Sequence, residues 1–344
     1  MIHLNAGNLW DRKYLDRVIE LNEQYGDNVR VDALFGSIAH LTPTARSFDR
    51  IPFLDWGMLD HYVDKCLKND IAIRYTLNTS CVGAMQDFKA QWDSKLRADV
   101  KELHAIGVKE WTIASPLLIQ LVRELLPEDF IEVSTIAEVS AAHEATRFFA
   151  LGANGVNIST SINRDPDAID AISHTGLKVS ILANEACLYK CAWRRECYNL
   201  SSHDSKRGDE LFGSYPFANC NHVRMNNPIE WVKARMVMPS CMEKYDLDFN
   251  VNWFKIAYRT HPYEVAIPIL EMYMRERDPE NLLELWPTIA KLGSTEEPKD
   301  QCFIKSKEVA ENYEALMAAG LSCSKRVCGS ECSICHAIYD RAIA

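Results

Sequence analysis

This sequence has no apolar run long enough to span a bilayer, and its longest ones are broken by charge. Its first residues, MIHLNAGNLW, carry neither a basic segment nor the apolar core of a secretion signal, so a cytoplasmic protein without membrane contact is expected. Gly/Ser, Pro and Gln tracts are missing too, which speaks against low-complexity linkers. Basic residues are in deficit. The 38 Lys and Arg stand against 48 Asp and Glu, and a formal net charge of −10 argues against extended nucleic-acid contact. Hydrolase signatures are absent: there is no G-x-S-x-G and no H-E-x-x-H, and the ten histidines fall at no zinc-chelating spacing. A peptidase therefore has no motif behind it.

What is present is a chain of 344 residues, 47% hydrophobic, large enough for one barrel-sized domain with an appendage. Short apolar runs recur at His3–Gly7, Val31–Ser37, Ile71–Asn78, Glu110–Ser115, Phe130–Thr135, Gly155–Thr160, Lys178–Asn184 and Trp253–Arg259. Between them lie segments of helical periodicity, among them Met58–Asn69, Phe88–Ile106 and Ala137–Leu151, with Gly107 and Gly152 placed to end two of them in the left-handed conformation. Eight strands alternating with helices predict a (β/α)8 barrel, with a doubly wound open sheet as the alternative. The barrel is expected over residues 1–275, with an insertion at about 185–252 between strands seven and eight, followed by a helical, cysteine-rich extension over 276–344 beyond a link near Ser294–Asp300. In such barrels the chemistry sits at the C-terminal strand ends, so Asn5, Asn78, Thr135, Thr160, Asn184, Glu185 and Arg259 are expected to ring one mouth.

Twelve cysteines are many for a chain read as cytoplasmic, where closely spaced thiols are more often metal ligands than disulfides. Cys187, Cys191 and Cys197 fall within one short stretch, NEACLYKCAWRREC, and Cys220 follows in YPFANCNHVR. Thiolates at irregular spacing suit an iron–sulfur cluster better than a zinc knuckle, which uses two tight pairs. Cys81 and Cys241 are alternatives for the fourth ligand. At the other end, LSCSKRVCGSECSICHA holds Cys323, Cys328, Cys332 and Cys335, a second metal site that either a zinc ion or a second iron–sulfur cluster would satisfy. Cys66 is expected to face the core. Arg164, Arg194, Lys255 and Arg259 near the predicted mouth point to an anionic small molecule, since guanidinium pairs with carboxylate in a bidentate fork; ion pairing within the barrel is the bland account of Arg164 and Lys255. Asn184 and Glu185, at the end of strand seven, are the candidate catalytic or orienting groups.

Four segments together resemble the collagenase-like proteins of peptidase family U32: IAIRYTLNTSC, VSTIAEVSAAHEATRFFALGANGVNISTSINRD, ILANEACLYKCAWRREC and MVMPSCMEKYDLDFNVNWFKIAYR. The resemblance runs from roughly Asn5 to Met274, and NEAC-x3-C-x2-R and FKI-x2-R are its most specific pieces. It implies a (β/α)8-like barrel and a [4Fe–4S] cluster held by four cysteines. Carried over to this chain, it assigns Cys187, Cys191 and Cys220 to the cluster, with Cys197 as the fourth where a similar subgroup carries a His. It further implies oxygen-independent, anaerobic hydroxylation of small molecules or nucleobases with prephenate as oxygen donor. Three readings stay open: such a redox enzyme, a peptidase acting on a peptide substrate, and a non-catalytic iron–sulfur subunit paired with a related U32-type chain.

Overall fold

The computed structural model describes the whole chain except residues 40–43, 47–50, 92, 208–213, 260 and 287–301. The expected link near Ser294–Asp300 lies outside the described residues. Eight strands, β1 (Ile2–Gly7), β2 (Val29–Gly36), β3 (Ala72–Leu77), β4 (Glu110–Ile113), β5 (Phe130–Val133), β6 (Gly155–Asn157), β7 (Lys178–Leu182) and β8 (Trp253–Ile256), pair in sequence order. Every pairing is parallel, and β8 returns to β1 through His3 opposite Trp253 and Asn5 opposite Lys255, which closes the barrel and removes the open-sheet alternative. Helices fill the crossovers, as parallel pairing requires.

The local chemistry accounts for where the helices begin. Asp11, Asp55 and Asp165 each accept a hydrogen bond from the backbone N–H three residues on, and Pro116 and Pro166 occupy first-turn positions that need no donor. Gly107 and Gly152 have φ of +105° and +96°, as expected for residues that leave a helix in the left-handed region. Three expectations shift. The run Phe88–Ile106 divides into Met85–Gln91 and Asp93–Ala105, and the helix read from Ala137 starts at Ala142, because Thr135–Ala137 form a 3-10 turn at the end of β5. Most strands also stop short of their apolar runs; β8 ends at Ile256, so Arg259 stands beyond the strand.

The barrel axis is polar. Glu132 of β5, 2% exposed, accepts from Arg74 of β3 at 2.9 Å, Ser180 of β7 at 2.9 Å and Thr112 of β4 at 3.2 Å, and lies 3.4 Å from the Lys255 ammonium of β8. Side chains from five strands meet at one carboxylate only inside a closed barrel. Outside it, Cys66 is fully buried in the helix layer as expected. The helices after residue 305 pack on the helix Met242–Phe249, with Tyr245 and Tyr313 in edge contact at 5.6 Å and the Tyr313 hydroxyl 3.3 Å from Asp248. No helix among the described residues is long and apolar enough to cross a membrane.

Candidate functional site

The chain leaves β7 through Ala183–Asn184–Glu185–Ala186–Cys187 and enters the cysteine-bearing segment. Asn184 is fully buried; its amide donates to the carbonyls of Ala257 and Leu285 at 3.0 and 3.1 Å and its oxygen accepts from the Ala257 N–H at 2.7 Å. Both donors are consumed by backbone, so Asn184 is a brace that ties β7 to the chain beyond β8 rather than a group free for chemistry. Glu185 differs. Its Oε1 accepts from the Cys187 thiol at 2.8 Å and from the Tyr198 hydroxyl at 3.2 Å, while Oε2 lies 3.8 Å from Arg194.

Arg194, 5% exposed, donates to Glu138 at 2.5 Å and lies over the Tyr198 ring. Two carboxylates thus claim a guanidinium expected to meet substrate, and Arg194 holds the first cysteine loop against the β5 exit. Burial raises the Glu138 carboxyl above its ordinary range against the pull of Arg194. Burial, with Glu185 adding to it, pushes the Cys187 thiol well up.

Cys191, Cys197 and Cys220 lie within electrostatic reach of one another: Cys220 opposes the ionisation of Cys191, and both oppose that of Cys197. Arg224, one helical turn after Cys220, donates to its sulfur at 3.5 Å and to the Ala186 carbonyl at 2.6 Å, which docks the helix Ser214–Asn226 against the exit of β7. Burial takes the Cys197 thiol up to about 12 although Arg46 pulls the other way. Cys241 is elsewhere, buried with its sulfur 3.8 Å from the Ala310 carbonyl beneath the C-terminal helices; Cys81 stays near, since the neighbouring Ser80 bonds Ser202 and Asn199 of the helix Arg194–Arg207. The donor set fits an iron–sulfur cluster: soft thiols with Arg194 and Arg224 beside them to balance thiolate charge. The sulfurs are not drawn to one point; among the described residues no three His, Cys, Asp or Glu side chains are gathered closely enough to hold a metal ion.

At the mouth, Arg259 donates to Thr76 of β3 at 2.9 Å and lies 5.7 Å from the centre of the Phe35 ring of β2. Burial and then Arg46 disfavour its charge strongly. The Nε atoms of Arg259 and Arg46 are both buried without a hydrogen-bond partner. Arg46 and Arg259 lie within electrostatic reach of each other and Arg46 of Cys197, and among the described residues neither guanidinium is paired with a carboxylate, an arrangement suited to an anion.

The remaining basic candidates do not join it. Lys255 belongs to the ion network on the axis, where burial outweighs Glu132 and brings its ammonium down to about 8. Arg164, expected at the mouth, is 6% exposed and donates to the carbonyls of Val232 and Met236 under the C-terminal helices, because β6 ends at Asn157 and the turn Thr160–Ile162 carries the chain sideways. Reasoning from sequence missed Arg46, Glu138, Tyr198 and Arg224. The i, i+4 spacing of Cys220 and Arg224 is a usable signal for the last; nothing local marks Arg46.

Lys255 makes a pH-dependent contribution. Its folded value is depressed, so the unfolded chain binds the extra proton, and stability rises with pH between about 8 and its unfolded value. Wild type should therefore gain on Lys255→Met in urea midpoint from pH 7.5 to pH 9.5 (about two pH units); a constant difference would place the ammonium outside the network.

No protein-family model matches the chain. Over 282 residues it is 26% identical to a protein of Methanocaldococcus jannaschii named as an uncharacterized protease, a match spanning 82% of this chain and 80% of that one. The solved structure of a U32 peptidase superposes with a TM-score of 0.53 at 18% identity, covering 75% of this chain and 93% of that chain, and shares the barrel fold. Together these matches show a chain similar in sequence to a protein named as a protease and similar in barrel fold to a U32 peptidase.

Proposed function

We propose that this chain is an iron–sulfur-dependent enzyme that receives an anionic small molecule at the barrel mouth, in an oxygen-independent hydroxylation or related modification with a carboxylate such as prephenate as co-substrate. The observation that carries this reading is the pair Arg46 and Arg259, which have no acidic partner among the described residues, with Arg46 in electrostatic reach of Cys197 of the cysteine segment. The cluster, held by Cys187, Cys191, Cys197 and Cys220, would supply an electron-transfer centre or an open iron when bound. The protein's own part is positional. Arg259 and Arg46 orient the carboxylate over Phe35, Thr76 fixes the Arg259 guanidinium, and Glu185, accepting from Tyr198, positions the loop at Cys187.

The names of the relatives support an enzyme and offer peptidase as the second reading. Peptide hydrolysis needs an activated nucleophile or a metal-bound water, and the sequence carries no motif for either. A third reading, an iron–sulfur subunit paired with a related chain, uses the same cysteines without the arginine pair. Protein purified without oxygen should be brown and contain about four iron and four sulfide per chain, and Cys191→Ser should reduce this to a small residue. Colourless wild-type protein without iron would overturn the proposal, and peptide cleavage that survives removal of the cluster would favour the peptidase.

A further inference from the structure

The C-terminal segment that carries Cys323, Cys328, Cys332 and Cys335 has defined structure with little core of its own. From Leu321 to Ala337 no residue is buried, and Val327, its one large aliphatic between the first two cysteines, is 62% exposed. The segment nevertheless folds tightly. Cys328 and Cys332 form a bridge across a turn in which the Gly329 N–H donates to the Cys332 carbonyl at 2.9 Å and Glu331 accepts from the Val327 N–H at 2.7 Å. Gly329 takes φ of +91° there, and Cys335 follows in the first turn of the helix Ile334–Ala342. Cys323 arrives from a 3-10 turn, and Cys335 feels the charge of the other three thiols. Only Ile334 and Cys335 of this stretch pack, partly buried, against the core, so hydrophobic burial contributes little to holding this geometry; small scaffolds of this kind use a cross-link or a metal.

The surroundings carry uncompensated positive charge. Among the described residues Arg164 donates to backbone carbonyls and pairs with no carboxylate, and Cys335 lies within electrostatic reach of it. Arg235, 5% exposed, stacks on Tyr189 at 4.3 Å and leaves Nη1 without a partner. Lys233, paired with Glu230, also feels Cys328 and Cys335. Buried guanidinium groups without a counter-ion are costly, and a divalent ion in four thiolates is a net dianion.

We infer that Cys323, Cys328, Cys332 and Cys335 form a structural zinc site, a closed tetrathiolate centre separate from the cysteines at the barrel mouth, whose negative charge is balanced by Arg164 and Arg235. Zinc rather than an iron–sulfur cluster suits this place, because Cys328 is exposed and a redox-inert ion tolerates solvent and oxygen. Closing the four sulfurs on the ion and fixing the segment are one event, and the result pins the last helix beside Glu230–Lys233 of the barrel's outer layer.

The test uses the full-length protein as purified. Metal analysis should find about one zinc per chain, unaffected by Cys191→Ser and lost in Cys332→Ser and in Cys335→Ser, with Cys302→Ser as a control that keeps it. Should those variants fail to fold, wild type alone decides: an organomercurial should release the zinc as about four thiols are modified, and cobalt refilling should give the sulfur-to-cobalt charge-transfer band of a tetrahedral thiolate site. Wild type without zinc and without cobalt uptake, zinc that persists in the variants, iron in its place, or two disulfides among the four thiols would each overturn the assignment. None of these outcomes depends on whether the mouth cysteines hold a cluster.

Discussion

Glu132→Gln should destabilise the barrel by about 3–5 kcal/mol, the range seen when one partner of a buried ion pair is removed. The carboxylate is 2% exposed, and burial alone would push its pKa up; Arg74 and then Lys255 outweigh this and hold it below the ordinary carboxylate range. With the amide in place, Arg74 keeps Glu110 at 2.8 Å, whereas Lys255 keeps only a 3.5 Å contact to Thr112 and loses its counter-ion. The ammonium must then shed its proton or stay charged in a dry interior, and either outcome costs free energy. Adding Lys255→Met should recover part of the loss, because it removes the stranded charge. Urea denaturation at pH 7 measures all three proteins. A loss below about 1 kcal/mol for Glu132→Gln would show that the network is solvated and that the axis is not a dry ion layer.

Arg259→Lys should weaken carboxylate binding by about tenfold to a hundredfold while leaving iron content and stability near wild type. A lysine keeps the charge but cannot offer two parallel donors in one plane, so the bidentate contact is lost although the electrostatic attraction remains. Arg46→Ala should lower affinity as well and, by removing the like charge, make Arg259 easier to keep protonated. The measurement is the thermal shift produced by a panel of carboxylates, prephenate among them, on wild type and both variants. Equal shifts in wild type and Arg259→Lys for every binder would remove Arg259 from the site, and with it the observation on which the small-molecule reading rests.

The eight strands and the cysteine groups were legible along the chain because both are local properties. Parallel barrel strands are covered on both faces, so β2, β3 and β7 read as short apolar runs between polar breaks, and caps such as Asp11, Asp55 and Asp165 mark helix starts by their chemistry alone. The cluster candidates stood out for the same reason: Cys187, Cys191 and Cys197 share one loop, and the C-terminal four share one segment. Strand ends were less legible, since Thr135 and Thr160 continue the apolar pattern while their backbone has already turned into 3-10 geometry.

Which charged side chains meet was decided only by the tertiary structure. Arg46, Thr76 and Arg259 converge because closure of the barrel brings the exits of β2, β3 and β8 to one mouth, and no local spacing encodes that convergence. Arg164 and Lys255 carried the same sequence signal as Arg259. One lies under the C-terminal helices and the other on the barrel axis. Of the two roles expected for Asn184, catalytic or orienting, its amide bonds to Ala257 and Leu285 fit the second. The physical reason is common to all: periodicity and composition report on backbone conformation and burial within a few residues, whereas the partner of a long polar side chain is set by which distant strands and helices the closed barrel brings within its reach.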